Sequence, residues 1–233
     1  MKIEILFEDS HIIIVNKPNN VLIHNSHYAR NITDDTLLKL LNQQLGYSFY
    51  PVHRLDRKTS GVLVLAKLKE EVATFQALFT TNEIIKNYVG IVRGFVHESI
   101  HIDSPVKNPD TNLYKEAETL CEPIFTHQLD IPVHPYDSSR YSLVKLTPTT
   151  GRMHQLRIHM NKISHPIVGD YKYGDRFHNR MFEQEFSCAN LFLHAYAIAF
   201  KHPFTGKSIE ILAPFPKDWG IIIKKFNWEF NFN

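Results

Sequence analysis

The sequence predicts an α+β protein with a mixed, mostly antiparallel β-sheet flanked by helices and loops. Short apolar segments rich in β-branched residues recur along its 233 residues, and only a few segments have helical spacing. Strands and helices do not alternate regularly, which disfavours a doubly wound parallel sheet. The apolar runs, such as residues 62–66, are much shorter than the roughly 20 residues that cross a bilayer.

Individual elements follow from local patterns. Residues 2–7 and 11–16 predict two short strands joined by a turn. Leucines at helical spacing predict a helix that residues 33–35 cap and Gly46 ends. Further strands are expected at residues 61–67, 84–92, 98–103, 117–125 and 141–147, a hairpin at 191–212, helices at 69–80 and 151–162, and a short helix from Pro216 before an aromatic tail, residues 226–232.

We expect one catalytic domain over residues 1–233, because no repeat or low-complexity segment divides the chain. Residues 107–139 contain four prolines and no sustained periodicity. This pattern is typical of a long functional loop or insertion rather than of a linker between domains.

The cysteine content indicates a cellular compartment, whereas the net charge does not identify a binding partner. The formal net charge of +2, from 26 basic and 24 acidic residues, does not by itself indicate a nucleic-acid-binding protein, so that function must rest on local clusters. Cys121 and Cys188 have no Cys-x-x-Cys spacing, which favours reduced thiols in a cytosolic protein. Glu8 and Asp9 follow the first strand directly, which is not the pattern of a signal peptide.

The most concentrated polar motif is His53-Arg54-Leu55-Asp56-Arg57-Lys58-Thr59-Ser60-Gly61, which leads into an apolar strand. The flanking cations favour the ionised form of Asp56. An ionised carboxylate suits a nucleophile better than a general acid. The spacing alone favours a surface turn held by local ion pairs.

A second cluster, residues 149–159, contains Gly151 followed by Arg-Met-His-Gln-Leu-Arg-Ile-His. In a helix, His154, Arg157 and Ile158 would share one face, although a basic surface helix gives the same pattern. His154, His159 and His165 also suggest a metal site. No carboxylate or cysteine completes a ligand set at suitable spacing, so no metal is expected.

Two further candidates lie on predicted strands. Tyr88 follows Lys86-Asn87, and His194 lies within Leu193-His194-Ala195. A tyrosine or a histidine on an apolar strand is commonly part of the core, so neither indicates a site on its own.

Taken together and in this order, these motifs resemble the RluA-type family of pseudouridine synthases. The resemblance rests on residues 53–67, 86–88, 151–159, 165–170 and 193–195, and so extends over almost the whole chain. It implies the pseudouridine synthase fold and the isomerisation of uridine to pseudouridine in RNA. That reaction is redox-neutral and needs no cofactor, which agrees with the lack of a Gly-x-Gly-x-x-Gly or Walker motif.

The resemblance also implies roles for individual residues. Asp56 is the catalytic aspartate, which either attacks the uridine or removes a ribose proton. Arg157 pairs with this aspartate, and Tyr88 is a catalytic residue that packs on the flipped base and assists proton transfer. Arg54 enters the RNA stack where the uridine leaves it, and Leu193 is an apolar wall of the pocket. Further contacts with RNA or the uridine are expected from His53, Arg152, His154 and Gln155.

Within the family, the chain is most similar to a subgroup that modifies tRNA. Residues 169–175, followed by Asn179-Arg180, resemble that subgroup's motif, and no N-terminal S4-like RNA-binding domain is expected. We therefore expect tRNA as the partner, with uridine 65 of tRNA as the target, and a cytoplasmic monomer without a membrane partner. Ribosomal RNA, another tRNA position, and a non-catalytic RNA-binding role remain alternatives.

Overall fold

A computed structural model describes residues 1–24, 35–108 and 111–229, and it confirms the predicted α+β class. The α-helices in these ranges are α1 (Leu37–Leu45), α2 (Val72–Thr80), α3 (Gln155–Lys162), α4 (Arg176–Phe186) and α5 (Lys217–Lys225), and a short 3-10 helix, Lys69–Glu71, precedes α2. The strands in the same ranges are β1 (Glu4–Glu8), β2 (Ile12–Lys17), β3 (Tyr50–Pro51), β4 (Ser60–Ala66), β5 (Ile85–Arg93), β6 (Ile100–Asp103), β7 (Val106–Lys107), β8 (Tyr114–Lys115), β9 (Glu118–Leu129), β10 (Ser139–Pro148), β11 (Leu193–Lys201) and β12 (Ser208–Leu212).

The chain forms two compact units, each made of two segments. Unit 1 comprises Met1–Lys86 and Ala195–Pro214, and unit 2 comprises Asn87–His194 and Phe215–Asn233. The boundaries fall inside β5 and β11, so these two strands contribute residues to both units. The expectation of one catalytic domain stays a prediction.

Unit 1 is built around β4, which is buried along its full length. β2 pairs with β4 in antiparallel register from Ile12 opposite Ala66 to Lys17 opposite Gly61. β1 lies beyond β2, and β11 lies on the other side of β4. The predicted hairpin of β11 and β12 is confirmed. β4 is buried because both of its faces and both of its edges are covered, which explains its uninterrupted apolar sequence.

Helix α1 of unit 1 begins after Thr36, whose side-chain oxygen accepts a hydrogen bond from the N–H of Lys39. It ends at Gly46, as predicted, which adopts a left-handed conformation with φ of 85°. The expected cap at residues 33–35 falls mostly outside the described residues, since residues 33 and 34 are not among them.

Unit 2 contains an antiparallel arrangement in the order β5, β10, β9 and β6, with a separate pair of β7 and β8. Residues 107–139, expected to form an irregular loop, include the twelve-residue strand β9. Pro123 lies in β9 where the register with β10 shifts between Leu143 and Val144. A proline without an N–H is tolerated at such a bulge, and it obscured the strand pattern in the sequence.

Two helices of unit 2 differ from the sequence prediction. α3 begins at Gln155 rather than near Gly151, because His154 adopts a left-handed backbone conformation with φ of 58°. α4 was not predicted at all. In the described part of the chain, no helix is long and apolar enough to cross a bilayer.

Candidate active site

Asp56 lies in the tight turn that precedes β4 in unit 1. The N–H of Thr59 donates to the carbonyl oxygen of Asp56 at 3.1 Å, which closes the turn. Leu55, Thr59 and Ser60 are buried, whereas Arg54 is exposed and Asp56 is partly exposed. The turn is therefore anchored by its buried residues and keeps Asp56 and Arg54 accessible.

Residues 17–20 hold this turn through three hydrogen bonds. Lys17 Nζ donates to the carbonyl of Arg57 at 2.9 Å, and Asn19 Nδ2 donates to the carbonyl of Lys58 at 2.7 Å. Arg57 Nε donates in return to the carbonyl of Asn20 at 2.9 Å. The sequence pattern identifies residues 17–20 only as a chain break after β2, so their contribution to the site was not predicted.

Lys17 is fully buried, which is rare for a lysine. Its ammonium group also donates to the carbonyls of Pro18 at 2.8 Å and Val21 at 3.0 Å. Burial lowers the pKa of Lys17 to about 7, and the negative charge of Asp56 opposes this shift. The Asp56 carboxylate is thus close enough to stabilise the charged form of Lys17.

His53 is bound to the strand that follows the motif. Its Nε2 accepts a hydrogen bond from the N–H of Val64 at 2.9 Å, and its ring stacks on Phe79 at 4.4 Å. Burial, with a smaller contribution from the charge of Lys86, lowers the pKa of His53 to about 3. A neutral His53 therefore fastens the motif to β4, while its contact with RNA stays a prediction.

Gly61 allows β4 to start close to β11. Its φ is 111°, and a Cβ at this position would lie 2.2 Å from the carbonyl oxygen of Ala195. Only glycine combines this backbone angle with so close an approach. The glycine of the motif therefore serves the packing of the strand that carries the Asp56 turn.

Arg157 lies in α3 of unit 2 and forms a buried ion pair with Asp170. Its Nε donates to Oδ2 of Asp170 at 2.6 Å, and its Nη2 donates to Oδ1 at 2.9 Å. Burial by itself raises the pKa of the Asp170 carboxyl. The hydrogen bonds and the positive charge of Arg157, together with hydrogen bonds from the N–H groups of Tyr173 and Lys172, outweigh this effect and lower the pKa below its ordinary value. Asp170 belongs to a motif of the resemblance but had no predicted role.

Tyr88 and Leu193 belong to the same apolar cluster of unit 2 as Leu156 of α3. Leu193 is buried, and Tyr88 on β5 is partly exposed opposite Leu146 of β10. Strands β5 and β11 and helix α3, which carry Tyr88, Leu193 and Arg157, therefore all contribute to this cluster. Tyr88 is thus packed at the edge of the core rather than sealed within it.

Gln155 and Arg152 occupy different environments at the start of α3. Gln155 is buried, and its amide oxygen accepts hydrogen bonds from the Thr150 hydroxyl and the Arg152 N–H. Its amide nitrogen donates to the carbonyl of Glu118 and the hydroxyl of Thr119. These four bonds give Gln155 a positioning role, whereas Arg152 is exposed. Contacts of either residue with RNA stay predictions.

His154 does not share a helical face with Arg157, contrary to the prediction, because it precedes the helix. Its Nδ1 is hydrogen-bonded to the Tyr173 hydroxyl at 3.0 Å. The ring of His159 is hydrogen-bonded to the Thr119 hydroxyl and the Ser104 carbonyl, and that of His165 to the Arg93 carbonyl. The three histidines considered as metal ligands thus have different hydrogen-bond partners. Among the described residues, no group of three His, Cys, Asp or Glu side chains is arranged to hold a metal ion.

Comparisons with known proteins address the resemblance directly. Residues 11–162 match the sequence profile of a family described as RNA pseudouridylate synthase. The tRNA pseudouridine synthase C of Vibrio cholerae is 36% identical over 237 residues, with 97% of each chain covered. The protein of the same name from Pasteurella multocida is 39% identical over 242 residues, with 99% of each chain covered.

A solved structure extends the comparison to the fold. The human protein RNA Pseudouridylate Synthase Domain Containing 1 superimposes with a TM-score of 0.72 at 25% identity, covering 92% of this chain and 84% of that chain. These findings confirm the resemblance and the fold that it implied.

Proposed function

The chain belongs to the RNA pseudouridylate synthase family, and on this premise we propose that it isomerises uridine to pseudouridine in tRNA. The observation that carries the proposal is the identity of 36% and 39% with two tRNA pseudouridine synthases C over nearly the full length of the chain. Two features of the structure support it: the turn that keeps the Asp56 carboxylate accessible, and the Arg157–Asp170 pair that fixes a guanidinium group.

The proposed reaction breaks the N-glycosidic bond, rotates the base and rejoins it to the ribose through carbon. Substrate and product are isomers, so the atoms balance without a co-reactant. Asp56 either attacks the uridine or removes a proton from its ribose. The hydrogen bonds between residues 17–20 and residues 57–58 hold the Asp56 turn before substrate arrives, which reduces the entropy lost on reaching the transition state.

Arg157 is proposed to pair with Asp56 and keep its carboxylate oriented. A guanidinium carries five N–H groups, and Asp170 accepts from two of them. One guanidinium can therefore bind Asp170 and a second carboxylate at the same time. In this role Asp170 positions Arg157, and Arg157 positions Asp56.

Access to the glycosidic bond requires that the uridine leave the RNA stack, which costs a few kcal/mol. Arg54 is exposed next to Asp56 and is proposed to occupy the place of the flipped nucleotide. Tyr88 is proposed to pack on the flipped base and Leu193 to form an apolar wall of the pocket. His53, Arg152, His154 and Gln155 are proposed to support RNA or uridine binding.

The target position is tested by mapping pseudouridine in unmodified tRNA and ribosomal RNA after incubation with the purified protein. Carbodiimide labelling followed by primer extension locates each pseudouridine. We expect a product at uridine 65 of tRNA. A product in ribosomal RNA or at another tRNA position would support that alternative, and RNA binding without any product would support a non-catalytic role.

We also propose that the protein acts as a monomer in the cytoplasm. Cys121 and Cys188 are both buried free thiols, as expected in a reducing compartment. Light scattering coupled to size-exclusion chromatography tests the oligomeric state, and a mass of two chains would contradict it.

A further inference from the structure

Beside the Arg157–Asp170 pair, unit 2 presents a surface of cations and aromatic rings, which we call the 171–180 surface. Tyr171 is 59% exposed and Phe177 is 46% exposed. Lys172, Arg176 and Arg180 are also exposed. Arg176 and Arg180 are four residues apart on α4 and therefore lie on the same side of this helix.

The carboxylates nearest in sequence do not neutralise these cations. Asp170 is bound to Arg157. Asp175 accepts a hydrogen bond from Arg93 at 2.6 Å and caps α4 by accepting from the N–H groups of Phe177 and His178. Within the described ranges, Lys172, Arg176 and Arg180 form no ion pair with a carboxylate. Among the residues that the structure describes, no carboxylate therefore lies within ion-pair distance of these three positive charges, although Glu183 follows Arg180 by three residues on α4.

Buried and partly buried hydrogen bonds fix the start of this surface relative to Arg157. The Asp170 carboxylate that binds Arg157 also accepts from the N–H groups of Lys172 at 2.9 Å and Tyr173 at 3.0 Å. The buried Asn179 donates to the carbonyl of Asp170 at 3.0 Å and accepts from the N–H of Gly169 at 2.7 Å. The Asp170 carboxylate thus orients the arginine of the candidate site and also holds the turn at which the surface begins.

The rings lie among the cations. The guanidinium of Arg157 and the ammonium of Lys172 lie 5.1 and 5.2 Å from the centre of the Tyr173 ring, and the Arg176 guanidinium lies 4.7 Å from that of Phe177. Exposed rings alternating with Lys and Arg are typical of surfaces that follow a nucleic-acid backbone and stack on its bases.

We propose that the 171–180 surface binds the RNA substrate, with Lys172, Arg176 and Arg180 on phosphates and with Tyr171 and Phe177 against bases or riboses. The inference rests on the proposed function and deepens it, because it places RNA contacts next to the arginine that serves the catalytic aspartate. RNA bound here lies against the same turn that Asp170 ties to Arg157.

The test compares two double variants of the full chain. Arg176→Gln/Arg180→Gln removes two charges from the surface, and Lys224→Gln/Lys225→Gln removes two exposed charges from α5 in the same unit. Fluorescence anisotropy with an unmodified tRNA transcript, repeated over a range of salt concentrations, gives Kd and its salt dependence. Tritium release from uridine-labelled tRNA gives kcat and KM.

We expect the α4 double variant to raise Kd and KM about tenfold and to reduce the slope of log Kd against log salt by about 1 to 2, while kcat at saturating tRNA stays within about twofold. The α5 control should change Kd by less than about twofold. Phe177→Ala should weaken binding more than Tyr136→Ala, which removes an even more exposed ring, at 69%, elsewhere in unit 2.

The inference is overturned if the Kd of the α4 double variant for tRNA equals that of the wild type or of the α5 control. This holds even if the wild type forms pseudouridine normally. If the wild type makes no pseudouridine but the α4 variant still loses tRNA binding, the proposed catalytic function fails and the RNA-binding surface stands. The single variants Lys172→Gln and Arg180→Gln, at exposed positions, should each show part of the effect.

Discussion

The Asp170 carboxylate accepts two hydrogen bonds from the Arg157 guanidinium, at 2.6 and 2.9 Å. This bidentate geometry fixes the plane of the guanidinium as well as its position. The side chains are 8% and 1% exposed, so water does not readily replace either partner. The orientation of the candidate catalytic arginine therefore depends on Asp170.

Asp170→Asn should destabilise the protein by about 3–5 kcal/mol, because it leaves the buried charge of Arg157 without its counter-charge. Urea unfolding measures this loss. Asp137→Asn, at an exposed carboxylate of the same unit, should stay within about 0.5 kcal/mol of the wild type. Equal stability of the two variants would show that the pair does not hold Arg157.

Lys17→Met should lower kcat, because it removes the three hydrogen bonds from the buried ammonium group, including the bond to the Asp56 turn. A buried acceptor left without a donor costs about 1–3 kcal/mol, so stability should fall as well. We expect kcat to fall more than about tenfold and the KM for tRNA to change less than about threefold. Lys201→Met, at an exposed lysine of unit 1, is the matched control, and a normal kcat in Lys17→Met would refute the positioning role.

The sequence predicted the Asp56 motif, the strand β4 and the hairpin of β11 and β12, because their patterns are local. The anchoring of the Asp56 turn by Lys17 was not predictable in the same way. It depends on the pairing of β2 with β4, which brings two distant chain segments together. A buried lysine also contradicts the usual preference of its residue type.

The errors in unit 2 have physical causes as well. The left-handed conformation of His154 delays the start of α3, and periodicity carries no sign of that backbone angle. Pro123 obscured β9 because a bulge accommodates it. Asp170 was visible as a motif residue, but its bond to Arg157 required the fold.

Acid should destabilise the protein in part through His53. Its pKa falls from the ordinary 6.5 to about 3 on folding, so the unfolded chain binds more protons between these values. The stability from neutral His53 is complete above the higher pKa and is lost as pH falls towards the lower one.

His53→Gln keeps an acceptor for the Val64 N–H but cannot titrate. It should reduce the dependence of unfolding free energy on pH by up to about 1.4 kcal/mol per pH unit between about pH 4 and 6. Urea unfolding across this range measures the slope. His97→Gln, at an exposed histidine, serves as the control, and an identical slope in both variants would show that His53 takes up its proton without cost.

The catalytic role of Asp56 is tested most directly by tritium release from uridine-labelled tRNA, with tRNA binding measured in parallel. Asp56→Asn should lower the rate more than about 1000-fold and leave Kd within about threefold of the wild type, whereas Asp35→Asn, at an exposed carboxylate of unit 1, should leave both unchanged. Turnover by Asp56→Asn near the wild-type rate would contradict the assignment of Asp56 as the catalytic aspartate.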